Sequence, residues 1–200
     1  MASESDTQQR ILDAARELIH SRSYADVGIA AICDKAGVQK GSFYHFFPSK
    51  RDLTLAVLDD FVVWAKQGLV DRAFDPQLPP LARLQRLTEL AYEIQKQLAA
   101  ETGMVLGCPF GNLATEMATQ DEAIRHKIAH IFDKFQATFA ALLQEAKGRG
   151  DLGGIDCEAT AHAMLAYFEG VMMLAKTQND PEVLRQLLPT MTQIRIPAKH

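Results

Sequence analysis

Residues 27–53 read VGIAAICDKAGVQKGSFYHFFPSKRDL, and this stretch decides how the chain folds. Ile29, Ile32, Cys33 and Ala36 recur at helical spacing, which predicts a short helix over 28–36 with one apolar face. Gly37 ends that helix, because glycine alone enters the left-handed C-terminal conformation at no steric cost. Val38 then plugs the space between this helix and a second one over 39–45. Two short helices joined by a tight turn containing glycine form a helix-turn-helix, whose second helix lies in the major groove of duplex DNA.

Charge points the same way. Lys35, Lys40, Lys50 and Arg51 fall in a window with no acidic residue between them, although the whole chain carries a net charge of -4. Binding a polyanion needs positive charge on the docking face and tolerates a negative balance elsewhere. Ser49 and Asp52 have the spacing of a capping box at the start of a further helix. The N–H groups exposed at that helix start, with Lys50 beside them, form a phosphate anchor.

The order A-G-V-x-K-G-S-F-Y-x-F-F-x-S-K-x-x-L, preceded by an amphipathic helix, resembles the N-terminal domain of the TetR family of transcriptional repressors and covers about a quarter of the chain. The resemblance implies an all-helical protein in two parts. Residues 1–50 are then the helix-turn-helix DNA-binding domain, and 51–200 a C-terminal helical domain that binds a small-molecule effector and dimerises through a four-helix bundle. Gly28 and Gln39 depart from the family pattern, which usually has Ser or Thr near a helix start, and Phe46 replaces a frequent His. The first two departures predict helix starts without side-chain caps.

Two hundred residues, 48% hydrophobic, suffice for one or two domains with a proper core. The polar start, residues 1–9, lacks the basic and apolar regions of a signal peptide, and no apolar run is long enough to span a membrane. The expected location is the cytoplasm, without membrane association. Cys33, Cys108 and Cys157 are odd in number and lack metal-ligand spacing, so reduced thiols and no structural metal are expected. Prolines and glycines fall between periodic segments, and no useful β-type alternation occurs, which predicts an all-α fold.

A first helix over 7–21, with Ile11, Leu12, Ala15, Leu18 and Ile19 on one face, braces the two short ones. A fourth runs from 49 to about 74 and is shared by both parts, until DPQLPP at 75–80 breaks it. Further helices are expected over 81–101, 112–119 and 121–147, the last stopped by GRGDLGG at 148–154. The segment 156–177 is apolar nearly all round its second half, so it must be covered on more than one side. A second copy of the chain is the expected cover, since a two-fold dimer lets one apolar patch bury its twin. A last helix over 181–194 is interrupted at Pro189, and the tail 197–200 is expected to fray.

On the reading helix, Phe43 and Phe47 supply core. Lys40 and Ser42 are the foremost candidates for base edges, since lysine donates to guanine acceptors and serine bonds either base type. Gln39 and His45 come second, and Gly41 gives the duplex close access. Tyr44 and Lys50 match positions that grip the phosphate backbone in the resembled family.

In the C-terminal part, Trp64, Tyr92, Met104, Cys108, Phe110, Phe135, Phe168 and Met172 are candidate lining of an effector pocket, and the same residue types at helical spacing also build cores. Cys108, flanked by glycines in GCPFGN and just before a helix, reads first as a small apolar residue packed at the helix start, and the alternative is an accessible, acidified thiol that senses electrophiles or oxidants. His126 and His130 lie four apart without a further ligand at metal spacing, and read as a solvated face. No nucleophile elbow, phosphate-cradling glycine loop or carboxylate pair points to catalysis, and no cofactor is implied. The expected function is a repressor that binds a palindromic double-stranded operator as a homodimer and is released when an effector favours a form with misspaced reading helices. The shared fourth helix is its lever, with Trp64 near the pocket end.

Overall fold

The protein is described here by a computed structural model covering residues 4–198. Among these residues the regular structure is helical, apart from one isolated bridge between Ile155 and Pro197. In chain order the helices are α1 (Glu4–Ser21), α2 (Ile29–Ala36), α3 (Lys40–Phe46), α4 (Lys50–Ala65), α5 (Pro80–Thr102), α6 (Pro109–Met117), α7 (Glu122–Gly148), α8 (Cys157–Gln178) and α9 (Glu182–Leu187). The chain divides into two compact units. One comprises Met1–Trp64 with Pro109–Ala129, the other Ala65–Cys108 with His130–His200.

In the first unit α2 and α3 are only 8 and 7 residues long. Helices below roughly 12–15 residues are marginal alone, so packing must hold these two. It does so through Ile11 of α1, Ile32 of α2, Phe43 of α3 and Leu53, Val57 and Leu58 of α4, all fully buried. Each such side chain contributes roughly 1.5–3 kcal/mol by leaving water. Phe47 is buried beside Phe43, as the need for aromatic mass in a small domain predicts.

Gly37 takes φ 63°, its N–H bonds the Asp34 carbonyl at 3.2 Å, and the Val38 N–H bonds the Cys33 carbonyl at 3.0 Å. These two bonds form a Schellman stop, so the predicted end of α2 holds in detail. Gly28 and Gln39 sit at helix starts without side-chain caps, as expected. At the start of α4 the Asp52 N–H donates to Ser49 Oγ at 3.1 Å, and the Ser49 hydroxyl donates to Asp52 Oδ2 at 2.6 Å. This is a capping box in altered form: the Asp52 carboxylate takes the serine hydroxyl instead of the Ser49 backbone N–H.

The fourth helix departs from its expected course. It is regular to Ala65, then widens into a π turn over Lys66–Val70 and closes with a single α turn, Asp71–Ala73. Lys66 and Asp71, five apart, suit the π spacing: the Asp71 N–H bonds the Lys66 carbonyl, and their side chains pair at 2.8 Å. Helices α5 and α6 begin on Pro80 and Pro109, at the first-turn positions where a missing N–H costs nothing.

The second unit centres on Leu84 and Leu90 of α5, Leu143 of α7, Met164 of α8, Leu184 of α9 and Leu188, all fully buried. Arg83 organises the proline-rich loop before α5. Its guanidinium donates to the carbonyls of Asp75, Pro76 and Leu78 at 2.8–3.0 Å and pairs with Glu145 at 2.8 Å. After α9 the chain tightens into a 3-10 helix, Leu188–Gln193, where Pro189 rules out a regular continuation. The expected fraying of 197–200 needs correction at Pro197 and Ala198, while 199–200 lie outside the described residues. Asp156 N–H bonds the Ile196 carbonyl, and Ala198 N–H bonds the Gly154 carbonyl, both at 2.9 Å.

Candidate nucleic-acid interface

Helix α3 separates its side chains by chemistry. Phe43 is fully buried, whereas Gln39, Lys40, Gly41, Tyr44 and His45 are exposed and Ser42 is half-buried. The predicted contact residues therefore share the solvent side of one short helix, with no acidic group among them. Tyr44 is 53% exposed, and its ring lies edge-on to Phe43 at 5.3 Å, so the outward aromatic is braced by the inward one. An added Cβ at Gly41 would meet nothing within 4 Å. The surface there is bare and low, consistent with close approach by a duplex.

The basic window is less free than its sequence suggests. Lys35 pairs with Glu17 at 2.6 Å, and Arg51 lies 3.8 Å from Asp121. Lys40 makes no ion pair among the described residues. Lys50 is half-buried: its ammonium donates to the Tyr24 carbonyl and sits 3.9 Å from the centre of the Tyr24 ring. Desolvation lowers its pKa, and the nearby Glu116 carboxylate opposes that change. The Tyr24 hydroxyl is shifted up, first by burial and then by Asp121.

Sequence comparison agrees with this arrangement. Residues 11–57 match the model of bacterial regulatory proteins of the tetR family, and residues 80–191 match that of a tetracyclin repressor-like C-terminal domain. The chain belongs to the TetR family. It is therefore a helix-turn-helix, DNA-binding transcriptional regulator, and the expected all-α architecture with an N-terminal reading domain holds. It is 34% identical over 184 residues to the transcriptional regulator AcuR of Cereibacter sphaeroides, covering 91% of this chain and 82% of that one. The transcriptional repressor DhaR of a Mycobacterium species is 23% identical, with 96% and 93% covered. Among solved structures, the regulatory protein TetR from Rhodobacter sphaeroides superposes with a TM-score of 0.83 at 31% identity, covering 94% of this chain and 98% of that one.

This TetR-family chain spreads the candidate effector residues over both units. Tyr92, Met104, Cys108, Phe135, Phe168 and Met172 belong to the second unit, Trp64 and Phe110 to the first. Phe168 and Met172 are buried, Phe135 is half-buried and Met104 is exposed. The Tyr92 hydroxyl donates to Glu182 at 2.6 Å. In the first unit, Phe110 is buried with its ring edge-on to Phe61, and Trp64 is 36% exposed.

Cys108 is buried, as the packed reading expects and against the alternative of an accessible thiol. The reason lies in the turn before it. Gly107, at φ 72°, is held by a buried Gln95, whose amide exchanges two 3.1 Å hydrogen bonds with the Gly107 backbone. The Cys108 thiol bonds Glu169, whose carboxyl is pushed up to about 7 by burial while that bond pulls it down. His126 and His130 are exposed on α7. Among the described residues no helix is long and apolar enough to cross a membrane.

Sequence reasoning missed two groups in the reading domain. Arg10 of α1 donates to the carbonyls of Ala36 and Gly37, capping the end of α2. Glu116 of α6 accepts the N–H groups of Tyr24 at 2.8 Å and Ala25 at 2.7 Å. Arg10 left one faint signal, a cation at the right distance to meet a helix C-terminus. Glu116, 92 residues from Tyr24, left none.

Proposed function

We propose that this TetR-family regulator is a repressor that binds a palindromic duplex operator as a homodimer and leaves it when a small-molecule effector binds. Residues 1–50 read the DNA, and 51–200 bind the effector and dimerise, with the cytoplasm as the working compartment. The observation that carries this reading is the acid-free, outward face of α3, anchored from behind by Phe43. Lys40 and Ser42 address base edges, with Gln39 and His45 beside them. Tyr44 and Lys50 meet phosphates, which sets affinity more than sequence choice.

Exposed apolar side chains in the second unit support the homodimer. Met173 is 59% exposed and Leu174 41%, on the helix whose sequence demands cover on several sides. A single reading helix buries too little to be specific, so two of them about 34–36 Å apart read a symmetric site. Within the second unit the effector is held by Tyr92, Met104, Cys108, Phe135, Phe168 and Met172, and it shifts the equilibrium only by its differential affinity for the two forms. Burial of Cys108 counts against the thiol-sensing alternative.

Footprinting of the DNA upstream of the neighbouring genes tests the reading. The expected result is a two-fold symmetric protected site, filled by a species with the mass of two chains. Protection without symmetry, or by a single chain, would refute it.

A further inference from the structure

We infer that Glu116 is a positioning residue for DNA binding, acting through the Tyr24–Ala25 turn to set the Lys50 side chain at the start of α4. The inference rests on the proposed role of Lys50 at a phosphate. Its basis is the geometry at one peptide group. The Tyr24–Ala25 peptide presents its carbonyl to the Lys50 ammonium and its N–H to the Glu116 carboxylate at 2.7 Å. A cation on the oxygen and an anion on the N–H polarise the same amide in one direction, so each bond strengthens the other. The second carboxylate oxygen takes the Tyr24 N–H at 2.8 Å, and the Tyr24 ring lies against the ammonium.

The turn has few other means of support. It lies between α1 and α2, outside any helix, so its N–H groups need partners from elsewhere. Ser23 supplies two, its hydroxyl accepting the Asp26 N–H at 3.2 Å and its carbonyl the Val27 N–H at 3.3 Å. Glu116 supplies the two for the Tyr24 and Ala25 N–H groups. An ammonium has three donors, and the Tyr24 carbonyl takes one, so Lys50 can keep its hold while offering another to a phosphate. A lysine already fixed loses little side-chain freedom when it meets that phosphate.

Glu116 also has an opposing effect, because a carboxylate close to DNA repels it. The two effects predict opposite outcomes for its removal. Anisotropy titration of a footprinted upstream duplex, across a series of salt concentrations, separates them. Glu116→Ala should bind roughly tenfold more weakly, with a salt slope smaller by about one charge per reading head, as for a lost phosphate contact. Glu116→Gln, which keeps one acceptor oxygen but turns its NH2 towards the other N–H and lacks the charge, should recover only part of the affinity. Combined with Lys50→Ala, Glu116→Ala should add little further loss, since both act through the same contact.

Unchanged or tighter binding by Glu116→Ala, or losses that simply multiply in the double variant, would overturn the inference. If Glu116→Ala fails to fold by circular dichroism, Glu116→Asp makes the same test, because it keeps the charge and draws the carboxylate back by one methylene. Failure of the wild-type protein to retain any upstream duplex would instead refute the functional reading itself.

Discussion

The helix-turn-helix motif and the second unit are held together over different distances along the chain, although the unit around the motif also has distant ties, Arg10 to Ala36 by 26 residues and Glu116 to Tyr24 by 92. In the helix-turn-helix the stops and starts are answered within a few residues: Gly37 and Val38 bond Asp34 and Cys33, and Ser49 bonds Asp52. In the second unit the fixing bonds join residues far apart: Gln95 and Gly107 by 12, Arg83 and Glu145 by 62, Val105 and Asn179 by 74, Tyr92 and Glu182 by 90. Local bonds tie a conformation to a short motif. Distant bonds let a framework of helices keep its fold while its interior changes.

The sharpest way to break this contrast is to remove the aromatic behind the reading face. Phe43→Ala should cost about 3–5 kcal/mol, by loss of a fully buried ring that joins three helices. Urea denaturation followed by circular dichroism reads the change, and a loss under 1 kcal/mol would mean that α3 does not depend on its core side.

Next is the half-buried carboxyl of Glu169 in the second unit. The folded protein holds Glu169 at about 7, against 4.5 for an ordinary glutamate, so it binds the proton more tightly than the unfolded chain does. The stability due to this group is full below pH 4.5 and falls as pH rises to 7, by about 3 kcal/mol in all. Glu169→Gln should flatten that part of the profile and be more stable than wild type at pH 8. Urea midpoints at pH 5 and pH 8 compare the two, and parallel profiles would show that Glu169 is not desolvated.

Gln95→Leu tests a distant bond directly. It removes both hydrogen bonds to the Gly107 backbone, each contributing about 0.5–1.5 kcal/mol net. The loss should come to about 2 kcal/mol, together with faster oxidation of Cys108 as its turn opens, measured by thiol titration. The smallest effect is expected at Arg10. Arg10→Ala removes a largely exposed cap from the end of α2 and should cost about 1 kcal/mol in thermal or urea unfolding. A much larger loss would mean that the motif's stop depends on a partner 26 residues away more than on Gly37 itself.

The contrast also explains what could be read from sequence. Helix periodicity, the Gly37 stop and the outward set on α3 were legible because each depends on neighbours within a turn or two. The packing of Cys108 was expected, but not its partners, since Gln95 and Glu169 lie on other helices. The partial occupation of the basic window was also hidden: Lys35 is paired by Glu17 from α1, and Lys50 by a carbonyl in the α1–α2 turn. The π turn after Ala65 escaped because helical periodicity continues through it, with Leu69 still in phase.

The central claim is that the solvent face of α3 reads duplex DNA, and Lys40→Ala tests it most directly. Titrated against the footprinted operator and against versions with single base changes, this variant should lose about 1–3 kcal/mol of affinity and relax its preference at one position in each half-site. Unchanged affinity and an unchanged base preference would contradict the account.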